Sequence, residues 1–277
     1  MFLPPEQEAW SPPVALTVAC LLSAAIYLRG FLLLRRSRPS VSPWRAVSFC
    51  GGLAVLWIAL GSPLEELADR NLTAHMIEHL LLMSVVPPLL LVGWPAVPLL
   101  RGFPVWLRKP LIHPLLGSRH LRSMGQWLVK PIVAWTLMNL TLLAWHVPVA
   151  FDFALNHEGW HVFEHVCFLS TSLLFWWVLL RPWPALPQGM GWGAPVYLVA
   201  ADLVNTALSA TLAFIGHPVY TYYLRHAETN PLDPLTDQTV GATIMWVFGS
   251  LVFLIPTLIL SGRLLQGGTT PNRIASS

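Results

Sequence analysis

Apolar residues in this chain come in long runs, and most charged residues lie between the runs. A helix needs about 20 predominantly apolar residues to cross a bilayer. No connection between the runs is long and polar enough to form a separate soluble domain. The pattern predicts an all-α, polytopic membrane protein in which residues 1–277 form a single integral membrane domain. The seven transmembrane helices are expected at roughly 14–34, 44–60, 74–100, 128–148, 161–181, 194–216 and 239–261.

The composition supports the same class of protein. Of the 277 residues, 55% are hydrophobic and 10% are charged, whereas about 25% are charged in typical soluble domains. The N-terminal segment contains Glu6 and Glu8 but lacks the basic region of a secretory signal, so we expect the first span to be retained. The three cysteines lie in separate spans and form no CxxC motif, which argues against a disulfide framework.

The basic residues are distributed asymmetrically about these spans. If the N-terminus is placed outside, only Arg70 and Arg225 of the 16 Lys and Arg residues fall on the outer side. Cytoplasmic loops carry such an excess of Lys and Arg. We therefore expect an outer N-terminus and a cytoplasmic C-terminus, in the cytoplasmic (inner) membrane of a bacterium. Because the basic charge follows the topology, it predicts contact with lipid, and nucleic acid is not an expected partner.

Two local features refine the predicted spans. Pro87 and Pro88 fall inside the third apolar run, where a missing backbone donor and a clash one turn back are expected to kink or break the helix. The segment 101–127 mixes tryptophan and leucine with basic residues. This mixture predicts an amphipathic segment that lies on the inner leaflet.

The candidate chemistry lies in a duplicated H-x-x-E-H motif. One copy, residues 75–79, opens the third span, and the other, residues 161–165, opens the fifth. Residues three and four apart share a face of a helix, so each copy presents two imidazoles with a carboxylate beside them. Both helices are expected to run inward from the outer side, which puts the two copies at one depth. The candidate metal ligands are His75, Glu78, His79, His161, Glu164 and His165.

A single histidine or glutamate near a span end is commonly structural, hydrogen-bonded at the interface or favoured by the helix dipole. Two copies on parallel helices change this interpretation, because a charged residue deep in a bilayer costs about 2.5–3.5 kcal/mol on insertion scales. Burying two glutamates with four histidines therefore predicts a compensating cation or cofactor. His146 and His217 end the fourth and sixth spans on the same side and are the next candidate ligands.

The residue types narrow the choice of metal without deciding it. Imidazole with carboxylate suits zinc, copper, iron or nickel, and Met83, one turn beyond the first motif, offers a soft thioether that is equally a common core residue. Asp237, at the start of the seventh span, is interpreted as a helix cap. Asp202 and Asn205 in the sixth span either pair with Asn139 as a structural contact or belong to a proton or ion path.

Several activities fit parts of this pattern. H-x-x-E-H also occurs in zinc hydrolases, where two histidines bind Zn²⁺ and the glutamate acts as a base, but that chemistry does not require a second copy. Di-iron oxygenases commonly hold their ligands at the cytoplasmic face, whereas these ligands are expected outside. The four-residue spacing excludes two haems stacked across the membrane and allows one. A metal-binding protein is favoured over an enzyme, and a membrane zinc metallohydrolase, a haem-binding protein and a scaffold without metal stay open.

Longer stretches around the motifs form a combination that is specific to one family. They are residues 75–83, Pro87-Pro88-Leu89-Leu90, Gly93-Trp94-Pro95, residues 145–148, residues 161–177, Asp237-Gln238 and residues 245–247. Over roughly residues 40–260 the chain resembles the CtaG-type assembly factors of the caa-type cytochrome c oxidases. Many members of that family have Gln at the position of Glu78, so the resemblance supports Glu164 more strongly as an ionised ligand.

The resemblance implies a protein of the respiratory chain that is needed to make an active haem–copper oxidase, by handling copper near the outer membrane face. On this hypothesis the chain is a metallochaperone-like assembly factor. Its partners would be the lipid bilayer, haem–copper oxidase subunits and a periplasmic copper donor. Copper is the expected metal, with zinc, iron or haem as alternatives.

Overall fold

The computed structural model describes residues 10–108, 110, 117–180 and 190–268, and every regular element in these ranges is helical. Some residues used in the sequence-based predictions lie outside the described residues. They are Glu6, Glu8, Lys109, Arg181 and Arg273, and residues 111–116 of the predicted amphipathic segment.

In the described ranges the α-helices are α1 (Val14–Ser37), α2 (Trp44–Gly61), α3 (Pro63–Arg70), α4 (Leu72–Leu80), α5 (Val86–Val92), α6 (Ala96–Gly102), α7 (Val105–Leu107), α8 (Arg119–Leu128), α9 (Pro131–Trp145), α10 (Pro148–Leu155), α11 (Glu158–Leu180), α12 (Gly193–Phe214), α13 (Thr221–Arg225) and α14 (Pro234–Gly268). A π-helical turn, Leu81–Val85, joins α4 to α5, and a 3₁₀ turn, Ala227–Thr229, follows α13.

Six helical segments are long and apolar enough to cross a membrane: α1, α2, the joined segment Leu72–Val92, α11, α12 and α14. A seventh results if α8 and α9, which are bent by 70° relative to each other, count as one span. The chain is therefore an all-helical, multi-pass membrane protein, as predicted. The placement of its N-terminus outside stays a prediction.

The third predicted span, 74–100, is wrong at its C-terminal end. The helix ends at Val92, and Gly93 and Trp94 then form a turn in which Trp94 has a φ of 53°. Pro87 and Pro88, which were expected to kink or break this helix, lie in the first turn of α5, directly after the π-helical turn. A wider turn tolerates residues without a backbone donor, so the helix is distorted locally and continues.

The two ends of the bundle differ in chemistry and are named here for use below. The histidine end is where α4, α11 and α14 begin and α9 and α12 finish. The arginine end is where α1 and α5 finish, α2 begins and α6 packs against α1. A buried apolar cluster underlies the histidine end, with Met76, Phe151, Phe168 and Met245 among its members. A second cluster, around Phe175, lies closer to the opposite end.

Glycine permits the closest helix contact at the arginine end. α1 and α6 pack against each other, and Gly30 of α1 faces the α6 backbone. A Cβ at Gly30 would overlap the carbonyl oxygen of Pro98, and a Cβ at Gly102 would overlap that of Ile26. Both positions therefore require glycine for this approach.

Candidate metal centre

The two H-x-x-E-H motifs face each other across α4 and α11. The rings of His75 and His161 are stacked with centroids 5.4 Å apart, and those of His79 and His165 are also 5.4 Å apart. The first histidines pair with each other and so do the second, which shows that the helices are parallel and in register, as expected from the sequence. The six motif residues together are called the histidine cluster below.

Each glutamate of the cluster lies close to a histidine of the other motif, an arrangement called the exchange below. Glu78 Oε1 lies 3.3 Å from Nε2 of His165, and Glu164 Oε1 lies 3.8 Å from Nε2 of His79. Each carboxylate thus faces the second histidine of the other motif. The duplicated sequence therefore produces an approximately two-fold arrangement of imidazoles and carboxylates. The sequence predicted that these groups meet, but not this exchange.

The cluster is buried and its polar atoms lack hydrogen bonds. His75 and Glu78 are 0% exposed and Glu164 is 1% exposed. Both carboxylate oxygens of each glutamate, and both ring nitrogens of His75 and His79, have no hydrogen-bond partner. Leaving one buried polar group unsatisfied costs about 1–3 kcal/mol, and more for a charged group. A cation would satisfy several of these atoms at once.

Four residues of the cluster come closest to a single metal site. One ligand atom from each of His75, His79, His161 and Glu164 lies within 4.8 Å of the other three. Ligand atoms around one tetrahedral ion are about 3.3 Å apart, given metal–nitrogen distances of ~2.0 Å. Binding would therefore draw these side chains together by small rotations. The set of imidazole and carboxylate donors suits a transition-metal ion.

Aromatic side chains line the cluster on the inside of the bundle. The Phe168 ring centroid lies 4.5 Å from that of His79, and the Phe151 centroid lies 5.0 Å from that of His75. Both phenylalanines are buried. These rings hold the imidazoles in place and keep water from the unpartnered nitrogens, which strengthens any electrostatic interaction in the site.

The two further histidines predicted as ligands have different positions. His146 caps the end of α9, is buried, and has its ring centroid 6.5 Å from that of His79. His217 is exposed in the loop after α12, where its backbone carbonyl accepts a hydrogen bond from Gln238 Nε2. Among the described residues, no ring contact joins His217 to the cluster. The structure thus brings His146 to the cluster and leaves His217 on the surface.

Asp237 fixes the position of α4, a role that sequence reasoning missed. Its carboxylate accepts hydrogen bonds from the backbone N–H groups of Leu72 (2.7 Å) and Thr73 (3.0 Å) and from Asn230 Nδ2 (2.8 Å). Thr73 Oγ1 donates to it as well, at 2.6 Å. Asp237 therefore caps α4 rather than its own helix, and α4 carries His75 one turn later. No local spacing signals a contact across 165 residues.

Other hydrogen bonds fasten the loops over the histidine end. The Asp152 carboxylate accepts from the backbone N–H groups of Thr221 and Tyr222, which ties α10 to the start of α13. The hydroxyl of buried Tyr223 donates to the Ala68 carbonyl at 2.7 Å and so joins α13 to α3. These contacts join the short helices α3, α10 and α13 above the cluster.

Of the two alternatives for Asp202 and Asn205, a structural pairing with Asn139 is not found among the hydrogen bonds of the described residues. Asn139 Nδ2 donates to the Trp135 carbonyl on its own helix, and Asn205 Nδ2 donates to the Met245 carbonyl on α14. Asp202 is buried and one of its carboxylate oxygens has no hydrogen-bond partner. Asn205 is thus a structural link between α12 and α14.

An acidic cavity of about 370 Å³ lies beside the cluster. Its walls include Glu65, Glu66, Asp69 and Glu158, and it reaches His161 of the cluster. Burial raises the pKa of Glu65, and the nearby carboxylates of Asp69, Glu158 and Glu66 raise it further. In the described part of the chain none of these four carboxylates forms an ion pair. The cavity is therefore a predominantly negative region that adjoins the cluster.

A multi-pass helical membrane protein with a buried histidine and glutamate cluster is the class that the fold and site define. The chain matches the cytochrome c oxidase caa3 assembly factors (Caa3_CtaG) over residues 25–266 and belongs to that family. This confirms the resemblance noted in the sequence.

Relatives of the chain occur in mycobacteria. Uncharacterized proteins of Mycobacterium bovis and Mycobacterium tuberculosis are each 25% identical over 254 residues, which cover 90% of this chain and 38% of the relative. One from Mycobacterium leprae is 22% identical over 242 residues, which cover 86% of this chain and 36% of the relative. The chain thus spans well under half the length of these relatives. No solved structure matches it.

Proposed function

We propose that this protein is a cytochrome c oxidase assembly factor that binds copper in the histidine cluster and passes it to a haem–copper oxidase. The observation that carries the proposal is the exchanged pairing of Glu78 with His165 and Glu164 with His79, in which buried oxygens and nitrogens have no hydrogen-bond partner. Membership of the caa3 assembly-factor family supplies the biological setting.

The geometry favours a metal ion over haem and over simple helix pairing. Neighbouring imidazoles of the cluster have centroids 4.2 to 5.4 Å apart, and a porphyrin would have to separate rings that are already in contact. Helix pairing by polar groups requires hydrogen bonds between them, and these are missing. An ion fits this arrangement because two ionised glutamates are neutralised by one divalent or two monovalent copper ions.

The acidic cavity provides a route for the ion. A cleft lined by one sign of charge raises the local concentration of the opposite ion. His161 belongs to both the cavity and the candidate four-residue site, so an ion captured by Glu65 or Asp69 reaches the cluster without crossing the apolar core. With the histidine end on the outer side of a bacterial cytoplasmic membrane, this route opens toward a periplasmic copper donor.

The proposal is tested by elemental analysis of the purified protein together with oxidase assembly in cells. The variant His75→Ala/His161→Ala is expected to carry no copper above background and to leave the oxidase without its copper. The matched control is His120→Ala/His157→Ala, since both residues are exposed, and it is expected to behave like the wild type.

Three results would contradict the proposal. Equal copper in the wild type and in His75→Ala/His161→Ala would exclude the cluster as the copper site. A haem absorption spectrum that is lost in this variant would assign the cluster to haem. Peptide hydrolysis that depends on zinc and on Glu164, with normal oxidase assembly in the variant, would assign it to a metallohydrolase.

A further inference from the structure

A second, smaller cavity lies beside the histidine cluster and has a different chemistry. Its volume is about 30 Å³, and its walls include four of the seven methionines of the chain, Met76, Met83, Met138 and Met245. The four come from four separate segments, α4, the π-helical turn, α9 and α14. His79 and His146 also line this space, which is called the methionine cavity below.

The size of the methionine cavity suits one ion. A site needs about 10–15 Å³ to hold a single water molecule. The methionine cavity therefore has room for one ion and little else. Thioether sulfurs select Cu(I) over harder ions such as Zn²⁺.

His146 is held in the form that binds metal. Its Nδ1 donates a hydrogen bond to the Leu142 carbonyl at 2.7 Å, which leaves the lone pair on Nε2. That Nε2 is buried and has no hydrogen-bond partner. A hydrogen bond from one ring nitrogen to a backbone carbonyl commonly orients a histidine that binds a metal through the other nitrogen.

Two of the methionines lie on backbone that buried side chains hold in place. The Met83 carbonyl accepts a hydrogen bond from Trp176 Nε1 at 3.0 Å, and the Met245 carbonyl accepts one from Asn205 Nδ2 at 3.2 Å. Gly249 makes room for this asparagine, because a Cβ there would approach the amide nitrogen to 2.5 Å. Two of the segments that form the wall of the cavity are therefore fixed by hydrogen bonds to their backbone.

We infer that the methionine cavity is a second metal site, which holds one Cu(I) ion through His146 Nε2 and the thioethers of Met83, Met138 and Met245. The inference rests on the proposed function for copper as the cargo. His79 lines the cavity and also belongs to the candidate four-residue site, so it is the group that the two sites share. The ion is Cu(I) in both places, and its passage between them involves no change of oxidation state.

The test titrates the purified protein with Cu(I) under anaerobic conditions, in competition with a colorimetric Cu(I) chelator, and separately with Zn²⁺. The variant is Met83→Leu/Met245→Leu, which nearly preserves side-chain volume. The control is Met124→Leu, because Met124 is exposed on α8. The double variant is expected to lose one equivalent of Cu(I) and the sulfur scattering in copper X-ray absorption, while its Zn²⁺ binding and that of the control stay unchanged.

Failure of this inference and failure of the proposed function give different results. Unchanged Cu(I) binding and sulfur scattering in Met83→Leu/Met245→Leu would overturn the second site and leave the histidine cluster unaffected. Loss of Zn²⁺ and Cu(I) together, with a lower thermal stability, would identify the methionines as packing residues and overturn it too. If only the proposed function fails, His75→Ala/His161→Ala binds as much Zn²⁺ as the wild type and the sulfur-bound Cu(I) persists.

A second variant guards against a packing effect of the leucines. His146→Ala keeps every thioether but removes the nitrogen donor. It is expected to lose the same equivalent of Cu(I) as Met83→Leu/Met245→Leu. Full Cu(I) binding in His146→Ala, with unchanged nitrogen scattering, would contradict the assigned ligand set.

Discussion

The two ends of this bundle differ in whether their polar groups have hydrogen-bond partners. At the arginine end, side chains satisfy the free carbonyls with which helices finish: Arg45 Nη1 donates to Val92, Arg29 Nη1 to Gly102 and the Tyr27 hydroxyl to Gly93. At the histidine end, the side chains of the cluster carry unpartnered nitrogens and oxygens.

This difference is the one expected between groups that stabilise the fold and groups that bind a ligand, as proposed for the histidine cluster. Polar groups kept for stability have partners, because an unsatisfied group works against folding. Among the described residues, no buried unpartnered side-chain atom lies at the arginine end, whereas the histidine cluster accounts for most of those found. The comparison therefore supports the proposed site at the histidine end without reference to any relative.

The largest expected effect is at the glutamate of the four-residue site. Glu164→Gln is expected to lower metal affinity by at least ~100-fold, because it removes a charged ligand. The metal-free variant should unfold at the same temperature as the wild type or a higher one, since a neutral amide costs less to bury than a carboxylate. Metal competition and thermal unfolding in detergent measure the two quantities.

Glu78→Gln is the matched comparison for Glu164→Gln. We expect a smaller loss of affinity, about tenfold, since Glu78 is outside the four-residue site and the family resemblance allows Gln there. A larger loss in Glu78→Gln than in Glu164→Gln would show that the site is centred on the other carboxylate. A loss of stability in both, with no change in metal binding, would make the histidine end structural like the arginine end.

The next effect concerns the clamp at the start of α4. Asp237→Ala leaves the N–H groups of Leu72 and Thr73 without their acceptor and is expected to lower the free energy of unfolding by about 3 kcal/mol. Metal affinity should fall as well, because α4 carries His75. Asp237→Asn keeps an acceptor and should recover part of both losses. Normal metal binding in Asp237→Ala would show that α4 is positioned by packing alone.

Much of the fold could be predicted because helices that cross a bilayer need long runs of apolar residues, and these runs are visible in the sequence. The apolar runs marked the helices, and the duplicated motif marked the cluster, since helix periodicity alone brings residues 75, 78 and 79 to one face. The end of the third span was missed because the apolar run continues through Gly93 and Trp94, and only the backbone reveals the turn there.

The remaining features depend on contacts between distant segments. Asp237 reaches α4 from a helix 165 residues away, and the methionine cavity needs four segments to meet. The position of His217 at the end of a predicted span placed it at the depth of the cluster. In the structure its side chain is exposed, in the loop after α12. Sequence periodicity sets which face a residue occupies, and tertiary packing decides what that face meets.

A smaller effect is expected at the arginine end. Arg45→Ala removes the hydrogen bond to Val92 and the stacking of the guanidinium on Trp94, where Cζ lies 2.9 Å from the ring centroid. The expected loss of stability is about 1 kcal/mol, with metal affinity unchanged. Thermal unfolding and metal competition, run side by side with Asp237→Ala, provide the check. A fall in metal affinity in Arg45→Ala would show that the two ends are coupled and would break the comparison.

The smallest effect concerns two carboxylates of the histidine end, Glu65 and Asp233. Their contributions to stability are expected to change with pH in opposite directions. Burial and neighbouring carboxylates raise the pKa of Glu65, so the folded state holds this proton to higher pH than the unfolded state. Its contribution to stability therefore falls as pH rises from the usual glutamate range through the raised pKa. Glu65→Gln is expected to raise stability at neutral pH and to remove that part of the pH dependence.

Asp233 should behave in the opposite way. Hydrogen bonds from the Thr236 hydroxyl and from the backbone N–H groups of Thr236 and Leu235 lower its pKa. Its contribution is present above the usual aspartate range and is lost as pH falls through the lowered pKa, so Asp233→Ala should reduce stability at neutral pH. Unfolding temperatures of both variants across pH 3 to 8 measure the signs. If Glu65→Gln instead lowers the stability of the metal-free protein, the charge of Glu65 is already compensated. The acidic cavity would then no longer explain how a cation is attracted to His161.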